Sequence, residues 1–269
     1  MSDEFEFRRI AVKGGEIAVM EAGAGDPLLL LHAAGLSDLW LPAYSRLAER
    51  FRVIVPQHPG FGQSPTIDAI ETVEDLAYHY DDLLTLLGLE SVKLVGVSFG
   101  GWVAAELAVL SPQRIESLVL IDALGLRVPG SPVTDTFEMA AEAQLKVLFH
   151  DPAVPQALFP AEPDIDFLMK LYRDEVAFAR YAWVPFCNNP KLAGRLHRVA
   201  APTLVLWAEH DKIVPAAHGA RYAELIAGAS LEIIPGAGHS VLIEQPVPCA
   251  EAIIRFATPA AATIASAAA

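Results

Sequence analysis

The residues best arranged for chemistry lie in Gly96-Val97-Ser98-Phe99-Gly100. An apolar, β-branched run from Val92 to Val97 precedes the serine, and a small-residue helical pattern from Trp102 to Leu110 follows it. A serine on a sharp strand-to-helix turn is held in strained backbone geometry. Gly96 and Gly100 are needed there because a Cβ would collide with the adjoining elements. The turn exposes the hydroxyl and aims the first amides of the following helix at the same point, where they can stabilise a developing oxyanion. Set between a strand and a helix, G-x-S-x-G reads as a nucleophile elbow. The plainer alternative is a Ser/Gly-rich turn that only packs.

A serine hydroxyl is a poor nucleophile near neutrality, so it needs a base within hydrogen-bond reach and a third group that orients the base. The chain has eight histidines. His239 stands apart, because Pro235-Gly236-Ala237-Gly238-His239 forms a Gly/Pro loop after the last expected strand, at the sheet edge that carries Ser98. Three carboxylates compete to orient it. Asp211 follows the strand Thr203 to Trp207, Glu209 lies beside it, and Asp122 ends the preceding strand. Loop position favours Asp211; Glu209 would otherwise be a solvated charge or a brace, and Asp122 could organise the next segment.

The elements that must position these groups alternate. Phe5 to Met20 reads as a hairpin about Lys13-Gly14-Gly15-Glu16. Leu28 to His32, Arg52 to Pro56, Val92 to Val97, Ser117 to Asp122, Thr203 to Trp207 and Leu231 to Ile234 read as strands, several apolar on both faces. Helical patterns cover 39–50, Val73 to Leu87, Trp102 to Leu110 and Pro246 to Phe256. The alternation predicts an α/β fold with a doubly wound, mostly parallel sheet. Eighty residues between Asp122 and Thr203 hold no strand pattern, only helical patches at 136–149 and 165–181, with Phe149, Phe159, Trp183 and Phe186 among them. A loop that long needs its own structure, so 125–198 is expected to form a helical lid above the strand carboxyl ends. Residues 1–124 and 199–258 would form the core, and the Ala-rich segment 259–269 is expected to fray.

The length of 269 residues, the 53% hydrophobic content and the positive mean hydropathy indicate a globular chain with a sizeable core. No apolar run reaches the roughly 18 to 20 residues that a membrane span needs. The N-terminus is polar and acidic, so a secretory signal is not expected. Cys187 and Cys249 are too few and too far apart for a disulfide framework, which points to a reduced, cytoplasmic setting. A net charge of −14 argues against nucleic acid and anionic membrane partners. No metal cluster or nucleotide fingerprint is present, so no cofactor is expected.

The strings Leu28-Leu29-Leu30-Leu31-His32-Ala33-Ala34-Gly35, Gln57-His58-Pro59-Gly60-Phe61-Gly62-Gln63-Ser64, Gly96-Val97-Ser98-Phe99-Gly100-Gly101, Trp207-Ala208-Glu209-His210-Asp211 and Gly236-Ala237-Gly238-His239-Ser240 resemble the α/β-hydrolase superfamily over essentially the whole chain. The resemblance implies an eight-stranded α/β-hydrolase fold with an inserted lid. It implies Ser98 as nucleophile, Asp211 as acid and His239 as base, with the main-chain N–H groups of Ala34 and Phe99 as oxyanion hole. His32, Trp183 and Phe186 are expected to face the substrate pocket. Two departures are Ala33, where the family usually has glycine, and Gln57, where aspartate is common. The expected reaction is hydrolysis of a small carboxylic ester through an acyl-enzyme, by a monomer or homodimer. Cleavage of a carbon–carbon bond in a ring-cleavage diketone is the alternative, although Ser240 stands where such enzymes typically have tryptophan. A non-catalytic small-ligand binding protein on the same fold is the alternative of a different class.

Overall fold

The computed structural model describes residues 5–35, 37–160 and 162–258. Eight strands form one sheet in the order β1-β2-β4-β3-β5-β6-β7-β8. They are β1 (Glu6–Val12), β2 (Gly15–Ala22), β3 (Pro27–Leu31), β4 (Arg52–Pro56), β5 (Val92–Val97), β6 (Ile115–Ile121), β7 (Thr203–Ala208) and β8 (Ser230–Ile234). The β1–β2 hairpin and the β2–β4 pair are antiparallel; the pairs from β4 to β8 are parallel. The expected fold is therefore present.

Period-two alternation explains why the central strands read as continuous apolar runs. Leu29 and Leu31 of β3 join one core cluster with Leu94 of β5, while Leu28 and Leu30 join the other with Val95 and Val97. The first cluster is covered by α2 (Val73–Leu86) and α3 (Phe99–Leu110), which pack together. The second is covered by α1 (Pro42–Ala48) and α9 (Pro246–Ala257). Both faces are buried, so both cores exclude water from the parallel ladders.

Local chemistry sets the boundaries. Helix α1 starts at Pro42, later than the pattern from 39 suggests, because proline suits the first helical turn, where no N–H partner is required. Helix α2 starts with a reciprocal capping box: Asp75 N donates to Thr72 Oγ1 (3.1 Å) and Thr72 N donates to Asp75 Oδ2 (2.9 Å).

Between β6 and β7 lie α4 (Ala141–Leu148), α5 (Ala153–Leu158) and α6 (Ile165–Ala182). Helices α7 (Ala217–Leu225) and α8 (Val241–Glu244) flank β8. Helix α6 is fastened to the loops after β3 and β4. Arg173 donates to Gly62 O (2.9 Å), the Tyr181 hydroxyl donates to Pro59 O (3.1 Å), and Asp174 bridges both loops. The segment 259–269, expected to fray, lies outside the described residues. No helix among the described residues is long and apolar enough to cross a membrane.

Candidate active site

Strand β5 delivers Ser98 into an elbow of φ 51° and ψ −112°, a left-handed conformation that non-glycine residues seldom adopt. The elbow is pinned on both sides. Ser98 N donates to Ile121 O (2.8 Å), and Ser98 O accepts from Trp102 N and Leu124 N (both 3.1 Å). The flanking glycines are steric requirements: a Cβ on Gly96 would lie 2.4 Å from Gly100 O, and one on Gly100 would lie 2.1 Å from Leu31 O. Helix α3 begins immediately after, so the Phe99 N–H belongs to its first turn, where amides lack helical acceptors.

His239 follows β8. Its Nε2 lies 2.8 Å from Ser98 Oγ and its Nδ1 lies 2.8 Å from Asp211 Oδ2. The serine O–H donates to Nε2, and the imidazole N–H at Nδ1 donates to the carboxylate. Asp211 keeps its other oxygen on backbone donors, Ile213 N (2.7 Å) and Val214 N (2.9 Å). The three side chains are all nearly closed off from solvent. The structure thus brings together the three groups singled out in the sequence. Of the rival carboxylates, Glu209 accepts from Gly236 N (3.0 Å) and braces the histidine loop. Asp122 is fully buried, with a carboxylate oxygen within 4.8 Å of an Asp211 oxygen and of a His239 ring nitrogen.

The loop after β3 carries Ala34, which lines the same cavity as Ser98. Two neutral histidines sit beneath it. His58 N donates to His32 Nε2 (3.0 Å), His58 Nε2 donates to His32 O (3.0 Å), and His32 Nδ1 donates to Ala33 O (2.7 Å). Burial lowers the pKa of His32 and lowers that of His58 further, with the neighbouring histidines opposing protonation of His58. This bracing holds a loop that lacks the usual glycine at position 33. Gln57 also acts locally, its Oε1 accepting from Gln63 N (2.6 Å).

Above Ser98 and His239 opens a cavity of about 420 Å³. His32 lines it. Trp183 and Phe186 do not. Trp183 follows the last turn of α6 and is 54% exposed. Phe137 stands between these two rings and the cavity: it packs edge-on to Trp183 (5.1 Å) and Phe186 (6.3 Å) and lines the cavity itself. Tyr44 lines the cavity from α1, and Phe137, Phe149, Phe159, Phe167 and Phe178 line it from the segment between β6 and β7. Among the described residues, no lysine or arginine lines the cavity, and Glu175 is its one carboxylate.

Two polar anchors escaped the reading of the sequence. Glu244 on α8 accepts from Gly238 N (2.7 Å) and from His150 N and Asp151 N (both 2.8 Å), tying the histidine loop to the end of α4. Asp174 accepts from Ser37 N (3.2 Å), Ser37 Oγ (2.9 Å) and Gly62 N (2.9 Å). The only sequence signal for Asp174 is a carboxylate on the otherwise buried stripe that includes Ala177 and Tyr181.

The hydrogen-bonded Ser98, His239 and Asp211 lie at the carboxyl edge of a parallel sheet, on the loops after β5, β8 and β7. The sequence pattern of the alpha/beta hydrolase family matches residues 28–252, and the chain belongs to that family. An uncharacterised protein of Mycobacterium tuberculosis is 28% identical over 91% of this chain and 79% of its own length. The 2-hydroxy-6-oxo-2,4-heptadienoate hydrolase of Pseudomonas putida is 28% identical, covering 89% of this chain and 92% of the relative. A thermophilic esterase of Thermogutta terrifontis has a similar structure, with a TM-score of 0.75 and 27% identity over 94% of this chain and 98% of its own.

Proposed function

We propose that the chain hydrolyses neutral carboxylic esters with an apolar acyl or alcohol part, through an acyl-enzyme on Ser98. The observation that carries this reading is the unbroken Ser98–His239–Asp211 chain opening onto an apolar cavity. His239 takes the Ser98 proton as Oγ attacks the ester carbonyl. The main-chain N–H groups of Phe99 and Ala34 receive the oxyanion, aided by the positive end of α3. Collapse expels the alcohol, which leaves with the proton from His239. Water, deprotonated by the same imidazole, then attacks the acyl-enzyme and releases the acid.

Residues 125–198 act as the lid in this account, since Phe137, Phe149, Phe159, Phe167 and Phe178 of the cavity wall all lie in that segment, the last two on α6. Charge favours the ester over the carbon–carbon substrate. The Pseudomonas putida relative is named for a dienoate, which carries a carboxylate. A carboxylate entering this cavity would lose its hydration without gaining a cationic partner, and would meet Glu175. The esterase relative supports the same choice.

A panel tests it: p-nitrophenyl esters of graded acyl length, measured beside a ring-fission dienoate. Neutral esters should show the higher kcat/KM. A higher kcat/KM for the dienoate would move the chain to carbon–carbon hydrolysis.

A further inference from the structure

Asp122 is the strongest buried titratable group that the reaction above leaves unused. It is fully buried and sits at φ 45°, in the left-handed region that aspartate tolerates better than most residues. Its backbone is fixed, because Asp122 N donates to Leu206 O (3.1 Å). Its Oδ1 accepts from Ala208 N (2.8 Å), while its Oδ2 has no donor. Oxygens of Asp122 and Asp211 and a ring nitrogen of His239 all lie within 4.8 Å of one another.

Two adjacent buried carboxyl groups in a low-dielectric interior cannot both stay ionised. The donors decide which one takes the proton. Asp211 accepts from Ile213 N, Val214 N and the His239 ring, and so holds three donors. Asp122 holds one, Ala208 N. The proton therefore belongs on Asp122, whose orphan Oδ2 becomes an O–H donor facing Asp211. Burial first, then the Asp211 charge, push the Asp122 carboxyl well above the usual carboxylate range. The other titratable neighbour is Cys249 on α9, whose thiol burial pushes up to about 12, so it stays neutral.

We propose that Asp122 is a positioning residue that extends the Ser98–His239–Asp211 chain, its un-ionised carboxyl donating to Asp211 and fixing the carboxylate that orients His239. The proposal rests on the serine-hydrolase reading above. The extra donor also spreads part of the Asp211 charge, which makes the imidazolium less favourable than beside a bare carboxylate.

The test uses the full chain, with Asp122→Asn and Asp122→Ala. Infrared difference spectra near neutral pH should show a buried un-ionised carboxyl C=O band that is lost in Asp122→Asn. Asparagine keeps an acceptor for Ala208 N and a neutral N–H donor for Asp211, so kcat/KM should stay within about threefold of wild type. Alanine removes the donor to a charged group, and kcat should fall about tenfold with little change in KM. The acid limb of kcat/KM should then move to higher pH, because the undamped Asp211 charge favours imidazolium. Absence of the carboxyl band, or an Asp122→Asn variant as inactive as Asp211→Asn, would overturn the proposal. So would an Asp122→Ala variant with a lowered thermal midpoint and an unmoved pH profile. Ester turnover surviving in Ser98→Ala would instead overturn the triad reading, whereas the infrared band tests the proton on Asp122 whatever the reaction proves to be.

Discussion

Ser98 Oγ and His239 Nε2 meet at 2.8 Å although 141 residues separate them in the chain. They sit just beyond the carboxyl ends of β5 and β8, with β6 and β7 between those strands in the sheet. The contact therefore depends on the sheet register and on the loops that follow the strands. Glu244 and Glu209 hold the histidine loop on the sheet side, and Ile121 and Leu124 hold the serine elbow.

Acyl specificity should follow the aromatic wall. Phe178 lines the cavity and packs edge-on to Phe99 (5.5 Å) and parallel to Phe137 (5.3 Å). Phe178→Ala should open space for longer chains and lower kcat/KM for short esters by about 1 to 3 kcal/mol. Trp183→Ala should leave the chain-length profile unchanged, since that ring lies behind Phe137. A profile that shifted in Trp183→Ala and not in Phe178→Ala would contradict this wall.

Asp174 should couple stability to turnover. Asp174→Ala strips the acceptor from Ser37 N, Ser37 Oγ and Gly62 N, and unmet buried donors cost about 2 to 4 kcal/mol in total. Ser37 lies in the loop that carries Ala34, so kcat should fall more than KM rises. Urea unfolding with parallel kinetics measures both. An unchanged unfolding midpoint would remove Asp174 from the account.

Acid should destabilise the fold before most carboxylates titrate. Burial lowers His79 from 6.5 to about 4, and His32 and His58 are lowered in the same way. These groups bind fewer protons folded than unfolded. Their contribution is complete above the unfolded pKa and is lost as pH falls through the folded values. For His79 that window runs from pH 6.5 to about 4 and spans roughly 3 kcal/mol. His79→Gln should flatten the fall in thermal midpoint across this range; an equally steep fall would show that the histidine does not control it.

The legible parts of the fold and site were those encoded locally. The β-branched run before Ser98, the glycines at 96 and 100 and the Gly/Pro loop before His239 each announce their geometry within a few residues. The same applies to the strand Arg52–Pro56 and the helix from Val73, whose start Thr72 and Asp75 cap. Orientation was not legible. Trp183 and Phe186 share a segment with the wall aromatics, but where α6 ends decides which rings face inward. Helix α5, with Pro155 in its first turn, and the short α8 carry too little apolar periodicity to stand out. The anchors Asp174 and Glu244, and the pairing of Asp122 with Asp211, are long-range contacts between polar residues, to which no period or spacing points.

The central claim is covalent catalysis by Ser98, and intact-mass analysis during turnover of a p-nitrophenyl ester tests it most directly. The account predicts a single acyl adduct on the peptide containing Ser98, absent from Ser98→Ala, together with a loss in kcat on the order of thousands-fold. An adduct elsewhere, or a Ser98→Ala variant that keeps more than about a tenth of wild-type turnover, would contradict it.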